Sequence, residues 1–385
     1  MYSWDENNLM PINSMHIITG LDIGGAETML FKLIKDRPES YRSTIVISLT
    51  TKGVIGQRLE KIGITVIELE IRNRISFFCK FFKLKKIIQS KRPKIIHTWM
   101  YHANLMGGLA AYIANNRNII WSIRRSELKL NESLTTYIVM KLGALFSEII
   151  PKKIVCVANS GLKNHESYGY AKKKMTVIPN GFDLQKLKHD EVKRKKVRNS
   201  LNITDNKLVI GSVGRFHESK DFKNLVMSAI KVIPQYRNVK YMMVGRNLDS
   251  KNTILMKWIN QTGFRDHFSL IGETNDIVGY MSAMDIFCLS SKTEGFPNVI
   301  GEAMSMKLPC VATNVGDVRK IVGKYAIIVK PENRELLCNG LCDMLSVNEE
   351  ERIELGLRGR QRMKREYSLK KIHEKYRDLY ASVIK

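Results

Sequence analysis

Short apolar runs alternate with longer helical patterns along most of the chain, and this alternation constrains the fold more than any other feature. Buried strands separated by helical segments are typical of parallel sheets that carry helices on both faces. One series begins near Met15 and a second begins near Leu208. No short period recurs, which excludes solenoids and propellers. The pattern predicts an α/β protein built from two Rossmann-like, doubly wound domains of similar size.

The predicted elements of the first series are strands at 15–19, 43–48, 65–69, 94–97, 119–123, 153–158 and 175–178 and helices at 26–35, 55–62 and 77–89. Those of the second series are strands at 208–213, 240–244, 268–271, 285–289 and 310–312 and helices at 222–233, 253–262, 277–283 and 298–306. A further helix is expected at 367–384. Because Lys141 and Glu148 interrupt the apolar segment 134–150, that segment is predicted to be a core helix rather than a membrane span.

The stretch 183–200 is highly charged and has little apolar periodicity, so we expect a linker there. A chain of 385 residues is long enough for two cores, and the linker divides it into domains at 1–183 and 184–366. Doubly wound sheets bind ligands at the carboxyl ends of their strands. The expected ligand site is therefore a cleft between the two halves.

Charge is the unusual feature of the composition. The 63 Lys and Arg residues against 37 Asp and Glu residues give a formal net charge of +26. This excess favours an anionic partner, whether nucleic acid, a phosphorylated metabolite or an anionic membrane surface. The cysteines form no C-x-x-C pair, which indicates free thiols in a reducing compartment and no zinc site. The polar start of the chain does not resemble a signal peptide, so we expect a cytoplasmic protein.

A glycine turn, residues 20–25, follows the first predicted strand. Gly24 and Gly25 would let backbone N–H groups approach a phosphate at a helix N-terminus. The turn lacks the G-x-G-x-x-G spacing, which disfavours a dinucleotide site. A plain tight turn is the alternative interpretation.

A second candidate turn, Gly214 to Asp221, follows the first strand of the second series. Arg215 could grip a diphosphate with its bidentate guanidinium, and Lys220 could do so as a point charge. The alternative is that both are solvated basic residues in a surface loop.

The strongest candidate is the segment 290–304, which holds two glutamates with seven residues between them, Glu294 and Glu302. Glu294 falls in the loop after a strand, and Glu302 falls about one turn into the next helix. Two carboxylates at this separation suit several sugar hydroxyl groups, and the N–H groups near Phe296 to Val299 would point at an anion or at hydroxyls. In the alternative interpretation Glu302 is an exposed helix residue and Glu294 a capping partner.

Two histidines, His97 and His102, fall near the end of a strand of the first series. Arg124 and Arg125 end a neighbouring strand and would add positive charge at the same edge. Single histidines are more often structural, but two at one edge make a role in the cleft equally plausible. The sequence contains no H-E-x-x-H, D-x-D, P-loop or nucleophile-elbow motif to support metal-dependent hydrolysis or P-loop chemistry.

Together, the Gly-Gly pair, VGRFHESKDF from Val213 and EGFPNVIGEAM from Glu294 resemble retaining glycosyltransferases of the GT-B fold, family four. The strings VIPNGFD, YMMVGR and PCVATNVGDVRKIV fit the same family, so the resemblance covers nearly the whole chain. HTWMYHAN and WSIR are similar to segments of the members that build bacterial surface polysaccharides. The usual P-x-K run after Gly-Arg is replaced here by His217 to Asp221.

The resemblance implies roles for the residues of the second half. Arg215 and Lys220 would hold the diphosphate of a nucleotide sugar in place of a metal ion. Glu302 would bind the ribose hydroxyls, and Glu294 would contact the transferred sugar. The backbone N–H groups that would help are those of Phe296, Asn298 and Val299.

The resemblance also implies roles in the first half. Gly24 and Gly25 would let the backbone approach the phosphates, and His102 would touch the sugar. Arg124 and Arg125 are further candidate anion contacts. The helix 367–385 would cross back onto the first domain. Neither metal nor cofactor is expected, because the nucleoside diphosphate sugar, a uridine one by preference, is a co-substrate, and transfer would retain the anomeric configuration.

The membrane is an expected partner, because residues 71–94 contain nine Lys or Arg residues and no acidic residue. On a helical wheel an apolar side faces a basic side; the apolar side holds Phe77, Phe78, Phe81, Leu84 and Ile88, and the basic side Lys80, Lys83 and Lys86. This pattern fits a basic amphipathic helix at the inner face of the cytoplasmic membrane, where a lipid-linked saccharide acceptor would lie. The alternative is that the phenylalanines pack onto the first sheet.

Two rival functions remain open. A sugar-nucleotide 2-epimerase would share the fold and use the same cleft without an acceptor. A basic protein that binds nucleic acid or membrane could retain the fold alone, although no base-stacking motif is present and no specific nucleic acid is expected.

Overall fold

The computed structural model describes residues 13–35, 43–71, 74–126 and 133–384. The chain divides into two units. The first unit ends at Asn180 and takes in the chain again from Ile372, and the second runs from Gly181 to Lys371. The boundaries expected from the sequence, after residues 183 and 366, lie three and five residues from these positions.

The first unit contains a parallel sheet with the strand order β3-β2-β1-β4-β5-β6-β7. Its strands are β1 (Ser14–Ile18), β2 (Ile45–Ser48), β3 (Thr65–Glu68), β4 (Ile95–Trp99), β5 (Ile119–Ile123), β6 (Lys153–Cys156) and β7 (Met175–Val177). The order reverses between β1 and β4, where His16 pairs with His97. The loops after these two strands therefore adjoin the crevice in which doubly wound sheets bind ligands.

Helices cover both faces of this sheet. They are α1 (Gly25–Lys35), α2 (Gly53–Lys61), α3 (Arg74–Lys91), α4 (Tyr101–Ile113), α5 (Leu134–Phe146) and α6 (Asn159–Ser167). Along β1, Met15 and Ile17 pack in the core that holds α3, α4 and α5. Ile18 points the other way, into the core that holds α1 and α2. This alternation is the two-residue period of a strand that is buried on both sides.

The second unit contains a parallel sheet with the strand order β10-β9-β8-β11-β12-β13. Its strands are β8 (Leu208–Val213), β9 (Val239–Val244), β10 (Phe268–Gly272), β11 (Ile286–Leu289), β12 (Cys310–Thr313) and β13 (Ala326–Val329). Its helices are α7 (Glu191–Ser200), α8 (Phe222–Gln235), α9 (Thr253–Thr262), α10 (Ile277–Ala283), α11 (Asn298–Ser305), α12 (Val318–Val322), α13 (Arg334–Ser346) and α14 (Glu349–Glu366). Here the order reverses between β8 and β11. The predicted pair of doubly wound α/β domains is confirmed.

The last helix, α15 (Leu369–Ile384), belongs to the first unit from Ile372 onward. Its Ile372, Tyr376 and Tyr380 side chains are buried in the core that holds α1 and α2. The C-terminal segment therefore completes a core that the first part of the chain began.

The predicted linker at 183–200 is wrong in its second half, because residues 191–200 form α7. Asp190 caps this helix by accepting a hydrogen bond from the N–H of Lys193. Arg194 and Arg198 both pair with Asp285, at 2.7 and 3.2 Å. The guanidinium of Arg198 is almost fully buried and also donates to backbone carbonyl groups. The high charge therefore belongs to a packed helix, two of whose cations share a carboxylate that is distant in sequence.

The predicted core helix at 134–150 is also wrong. Within α5 the buried residues are Met140, Gly143 and Ala144, which occupy one narrow side. Most of its larger apolar side chains, from Leu134 to Leu145, are exposed. None of the helices described by the structure is long and apolar enough to cross a membrane.

Candidate functional site

Two of the predicted loops lie side by side in the second unit. The loop 214–221 follows β8, and the loop 290–297 follows β11. These strands are hydrogen-bonded neighbours, with Ile286 paired to Ile210 and Phe287 to Gly211. Because parallel neighbours end at the same edge of the sheet, the two loops meet at the point where the strand order reverses.

The contact between these loops is an ion pair. Lys220 Nζ lies 2.5 Å from Glu294 Oε1. The hydroxyl of Ser291 donates to the same carboxylate oxygen at 2.7 Å. The lysine and glutamate side chains retain only 19% and 13% of their exposure, respectively. Partial burial weakens solvent screening, so this charge-assisted contact is stronger than an exposed surface pair.

The backbone joins the same two loops. Ser290 Oγ donates to the carbonyl oxygen of Lys220 at 2.9 Å, and the N–H of Lys292 donates to that of Ser219 at 2.9 Å. From the neighbouring strand β12, Thr313 Oγ1 donates to the carbonyl oxygen of Ser291 at 2.7 Å. The loops therefore form one hydrogen-bonded body on the sheet edge.

Gly316 packs against the backbone of the loop that carries Glu294. Its φ of +51° lies in the left-handed region, and a Cβ there would collide with the carbonyl oxygens of Glu294 and Gly295. Beside it, the N–H of Asp317 donates to the carbonyl oxygen of Gly295 at 3.0 Å. Only glycine allows this close approach, which fixes the backbone that carries Glu294. The role of Gly316 was not predicted from the sequence.

Arg215 differs from Lys220 in being exposed. Its guanidinium has no side-chain partner among the residues that the structure describes. The sheet edge therefore presents one guanidinium free to bind an anion and one ammonium already engaged with a carboxylate.

Helix α11 begins directly after Pro297, which makes no side-chain cap. The first N–H groups of a helix, here those of Asn298 and Val299, point away from the helix body toward its N-terminal end. Glu302 is partly buried and lies four residues after Asn298, on the same side of the helix. The side chain of Phe296 points into the unit, stacked 6.3 Å from the ring centroid of Phe182. Glu294, the suggested capping partner, is instead held by Lys220.

In the first unit, Gly24 and Gly25 start α1, with the N–H of Thr28 donating to the carbonyl oxygen of Gly24 at 3.0 Å. The carboxylate of Glu27 folds back into the space that a side chain on Gly24 would fill. Burial raises the pKa of Glu27, while hydrogen bonds from its own N–H and that of Ala26 and the charge of Arg124 oppose that shift. A carboxylate therefore occupies the helix end at which a phosphate was expected. Its position in the first turn of the helix was the available sequence signal.

Arg124 and Arg125 diverge after β5. Arg124 Nη2 donates to Asn180 Oδ1, and the guanidinium lies 5.4 Å from the ring centroid of Trp99. Arg124 Nη1 is buried without a partner among the described residues. Burial lowers the pKa of Arg124. Arg125 is the more exposed of the two arginines.

His102, the second residue of α4, is partly buried. Burial and the charge of Arg125 lower its pKa, which favours a neutral imidazole. A neutral ring can donate through one nitrogen and accept through the other.

His97 does not lie at the edge with His102, as was expected. Strand β4 continues to Trp99, and His97 is wholly buried inside it. Its Nδ1 lies 2.8 Å from the hydroxyl of Tyr380, and its Nε2 lies 2.8 Å from Ser122 Oγ. Burial lowers the pKa of His97 well below its usual value. His97 therefore anchors α15 to the sheet.

The described residues contain no cluster of three or more His, Cys, Asp or Glu side chains that could hold a metal ion.

Two family models match consecutive parts of the chain. The model described as Glycosyltransferase Family 4 matches residues 23–186. The model described as Glycosyl transferases group 1 matches residues 193–362. Together they span both units and both candidate loops.

Similar proteins include the capsular polysaccharide biosynthesis glycosyltransferase CapH of Staphylococcus aureus, which is 25% identical over 79% of this chain and 82% of its own. The Escherichia coli UDP-Gal:alpha-D-GlcNAc-diphosphoundecaprenol alpha-1,3-galactosyltransferase is 25% identical over 60% of each chain. Among solved structures, Anabaena HepE in complex with UDP superposes with a TM-score of 0.85 at 19% identity, covering 96% of this chain and 99% of its own. The last likeness concerns the fold.

Proposed function

Because the chain belongs to the GT-B glycosyltransferases of family four, we propose that it transfers a sugar from a UDP-linked donor to a growing surface polysaccharide with retention of configuration. The observation that carries this proposal is the pairing of Lys220 with Glu294 at the switch point of the second sheet. The pairing brings together an ammonium group, which can bind a phosphate, and a carboxylate, which can accept hydrogen bonds from sugar hydroxyls. The relatives named for capsule synthesis support the polysaccharide product.

The donor diphosphate binds to the second unit without a metal ion. Arg215 is free to form a bidentate contact with the diphosphate. Lys220 donates one of its ammonium hydrogens to the phosphate in addition to its contact with Glu294. The backbone N–H groups of Asn298 and Val299 add positive potential at the start of α11. UDP bound to the Anabaena structure supports this choice of nucleotide.

The two glutamates contact different parts of the donor. Glu302, fixed on α11, accepts hydrogen bonds from the ribose hydroxyls. Glu294, on the loop, accepts from hydroxyls of the transferred sugar. His102 of the first unit, as a neutral imidazole, serves a sugar hydroxyl as well.

The reaction exchanges one bond at the anomeric carbon. The bond from that carbon to the diphosphate oxygen breaks, and the acceptor oxygen bonds to the same face. The acceptor proton passes to the departing phosphate oxygen. Arg215 and Lys220 stabilise the charge that develops on the diphosphate, so no protein nucleophile is needed.

The acceptor is a lipid-linked saccharide at the inner face of the cytoplasmic membrane. The E. coli relative, whose name includes a diphosphoundecaprenol-linked substrate, supports this class of acceptor.

In α3 the predicted apolar side is divided: Phe81, Leu84 and Ile88 pack on the first sheet, whereas Phe77 and Phe78 are exposed.

The test is incubation of the purified chain with UDP-sugars and a lipid-linked oligosaccharide in the presence of a chelator. The expected result is UDP release that requires the acceptor, with a product whose anomeric configuration matches the donor. An inverted product, or activity that only Mg²⁺ or Mn²⁺ restores, contradicts the mechanism. UDP formation and a 2-epimeric sugar in the absence of any acceptor would identify an epimerase instead.

A further inference from the structure

A row of exposed apolar side chains runs along α5 of the first unit. Leu134, Ile138, Leu142 and Leu145 recur every three or four residues, and Ile149 follows in the turn after the helix. Their exposed fractions are 73%, 46%, 40%, 69% and 60%, respectively. These five residues, which we call the α5 stripe, share one side of the helix. Isolated exposed leucines are ordinary, but a contiguous row marks an interaction site.

The opposite side of α5 explains why the stripe faces outward. Met140, Gly143 and Ala144 pack inward. The hydroxyl of Tyr170 donates to the carbonyl oxygen of Met140 at 3.2 Å, and any side chain on Gly143 would meet that hydroxyl. This close contact fixes the rotation of the helix. The stripe is therefore held in solvent by the packing of the small residues behind it.

The charge near the stripe is mostly positive, with the exposed Glu148 between Leu145 and Ile149 as an exception. Residues 71–126 contain no Asp or Glu and twelve basic residues, namely Arg72, Arg74, Lys80, Lys83, Lys85, Lys86, Lys91, Arg92, Lys94, Arg117, Arg124 and Arg125. Helix α4 contacts both α3 and α5, and all three helices pack in the same core. The exposed Lys83 and Lys86 of α3 therefore lie on the same face of the sheet as the stripe.

Exposed aromatic side chains accompany these lysines. Phe78 and Phe82 of α3 are 66% and 58% exposed. Apolar groups beside an excess of cations match the boundary of an anionic bilayer, where acyl chains lie beneath phosphate groups. A second copy of the chain would bring two strongly basic faces together, which like-charge repulsion opposes.

We propose that the α5 stripe is the surface by which this chain docks on an anionic lipid bilayer. Helix α5 lies flat in the interface, its 13 residues extending about 20 Å along the surface. The stripe enters the boundary between headgroups and acyl chains, and the lysines of α3 meet lipid phosphates. The location fits the lipid-linked acceptor of the proposed function, but vesicle binding itself requires neither donor nor acceptor.

The test compares two triple variants of the full chain. One carries Ile138→Gln, Leu142→Gln and Leu145→Gln in the stripe. The matched control carries Val192→Gln, Ile254→Gln and Ile353→Gln, which remove apolar side chains of similar exposure from the second unit. Binding is measured by co-sedimentation with phosphatidylcholine vesicles that contain or lack phosphatidylglycerol, at low salt. Thermal unfolding shows whether each variant is folded.

The unsubstituted chain and the control should bind the phosphatidylglycerol vesicles alike, and the stripe variant should bind on the order of tenfold more weakly. Replacing Leu145 with Trp should give fluorescence that shifts to the blue on those vesicles. Absence of binding, or equal binding by both triple variants, overturns the proposal. So does a dimer that only the stripe variant dissociates, because a second copy would then cover the stripe.

A UDP-induced rise in melting temperature, measured in parallel, separates the two proposals. Vesicle binding without a response to UDP would contradict the proposed function and leave the docking surface intact. A response to UDP without vesicle binding would do the reverse.

Discussion

The ammonium of Lys220 and the carboxylate of Glu294 form a 2.5 Å ion pair that joins the loops after β8 and β11. Each group neutralises the other in a partly buried position, and Ser291 donates to the same oxygen of Glu294. The pair therefore has two consequences, one for stability before a ligand binds and one for the chemistry afterwards. Removing either partner leaves a desolvated charge without its counter-charge.

Arg215 and Lys220 should separate in their effects on stability. Arg215→Ala and Lys220→Ala are each expected to weaken donor binding roughly ten- to a hundred-fold, because each removes a charged hydrogen bond to the diphosphate. Only Lys220→Ala should also destabilise the unliganded protein, by about 1–3 kcal/mol, because it removes the counter-charge of the partly buried Glu294. Calorimetric titration with UDP and thermal unfolding measure the two effects. Equal melting temperatures for the two variants would show that the ion pair contributes nothing to stability.

Glu294→Ala should mainly lower kcat. If positive charge develops at the sugar ring in the transition state, the contact to Glu294 strengthens there and its loss slows the chemical step. The expected loss is roughly ten- to a hundred-fold, which corresponds to about 1.5–3 kcal/mol. Steady-state kinetics at saturating donor measure it. An unchanged kcat in a folded Glu294→Ala enzyme would remove Glu294 from the reacting centre.

Glu302→Ala should mainly raise the donor KM. A ribose contact is alike in the ground state and the transition state, so its loss weakens binding without slowing the chemical step. The change should be roughly ten- to a hundred-fold for a charged hydrogen bond. Nucleotide-sugar titrations of initial rate give KM and kcat separately. A fall in kcat at constant KM would assign Glu302 to the sugar instead.

The sequence predicts the strands and turns because they depend on local patterns. Apolar runs that end in glycine turns located β8 and β11, and with them the loops of Lys220 and Glu294. The contact between these residues depends on the strand order of the sheet, which places β11 beside β8. That order is a long-range property, so the sequence places both residues at strand ends and leaves their pairing open.

Three errors share a physical cause, which is that burial depends on distant partners. The segment around Arg198 was predicted to be a linker, because the sequence does not reveal that Arg198 pairs with Asp285. The apolar segment of α5 reads as core, because its period shows two faces but not which face meets α4. His97 reads as an edge residue, because the sequence does not reveal that β4 continues to Trp99.

Ser291→Ala should affect kcat more strongly than the free energy of unfolding, when both effects are expressed as free energies. The hydroxyl of Ser291 orients the carboxylate of Glu294, so its loss leaves the group held by the ion pair with Lys220. A reduction of about tenfold in kcat is expected for one misplaced hydrogen bond, and Ser291→Thr should recover part of it. Ser228→Ala is the matched control, because that serine is equally buried and donates to the carbonyl oxygen of Leu225 within α8 rather than to Glu294. Equal kinetics for the two variants would make Ser291 purely structural.

The stability of the first unit should fall as the pH drops below about 6.5, because of its buried histidines. His16 is wholly buried, and burial lowers its pKa to about 3. Trp99 Nε1 donates to His16 Nδ1 at 3.2 Å, so a proton on that nitrogen would face another N–H group. The unfolded chain, whose histidine pKa is near 6.5, takes up a proton that the folded chain refuses. The free energy of unfolding therefore falls by about 1.4 kcal/mol per pH unit for this residue as the pH drops from 6.5 to 3.

His16→Asn should remove this dependence, because asparagine does not titrate and its Oδ1 can accept the hydrogen bond from Trp99. The difference in unfolding free energy between His16→Asn and the unsubstituted chain should shift in favour of the variant by about 2 kcal/mol from pH 7 to pH 5. Urea unfolding followed by the fluorescence of Trp99 and Trp121, both buried in the first unit, measures it. His189→Asn, a change at a partly exposed position of the second unit, should leave the pH dependence of this transition unchanged. If His16→Asn and the unsubstituted chain lose stability in parallel between pH 7 and pH 5, His16 is already protonated in the folded protein and its place in the buried network is wrong.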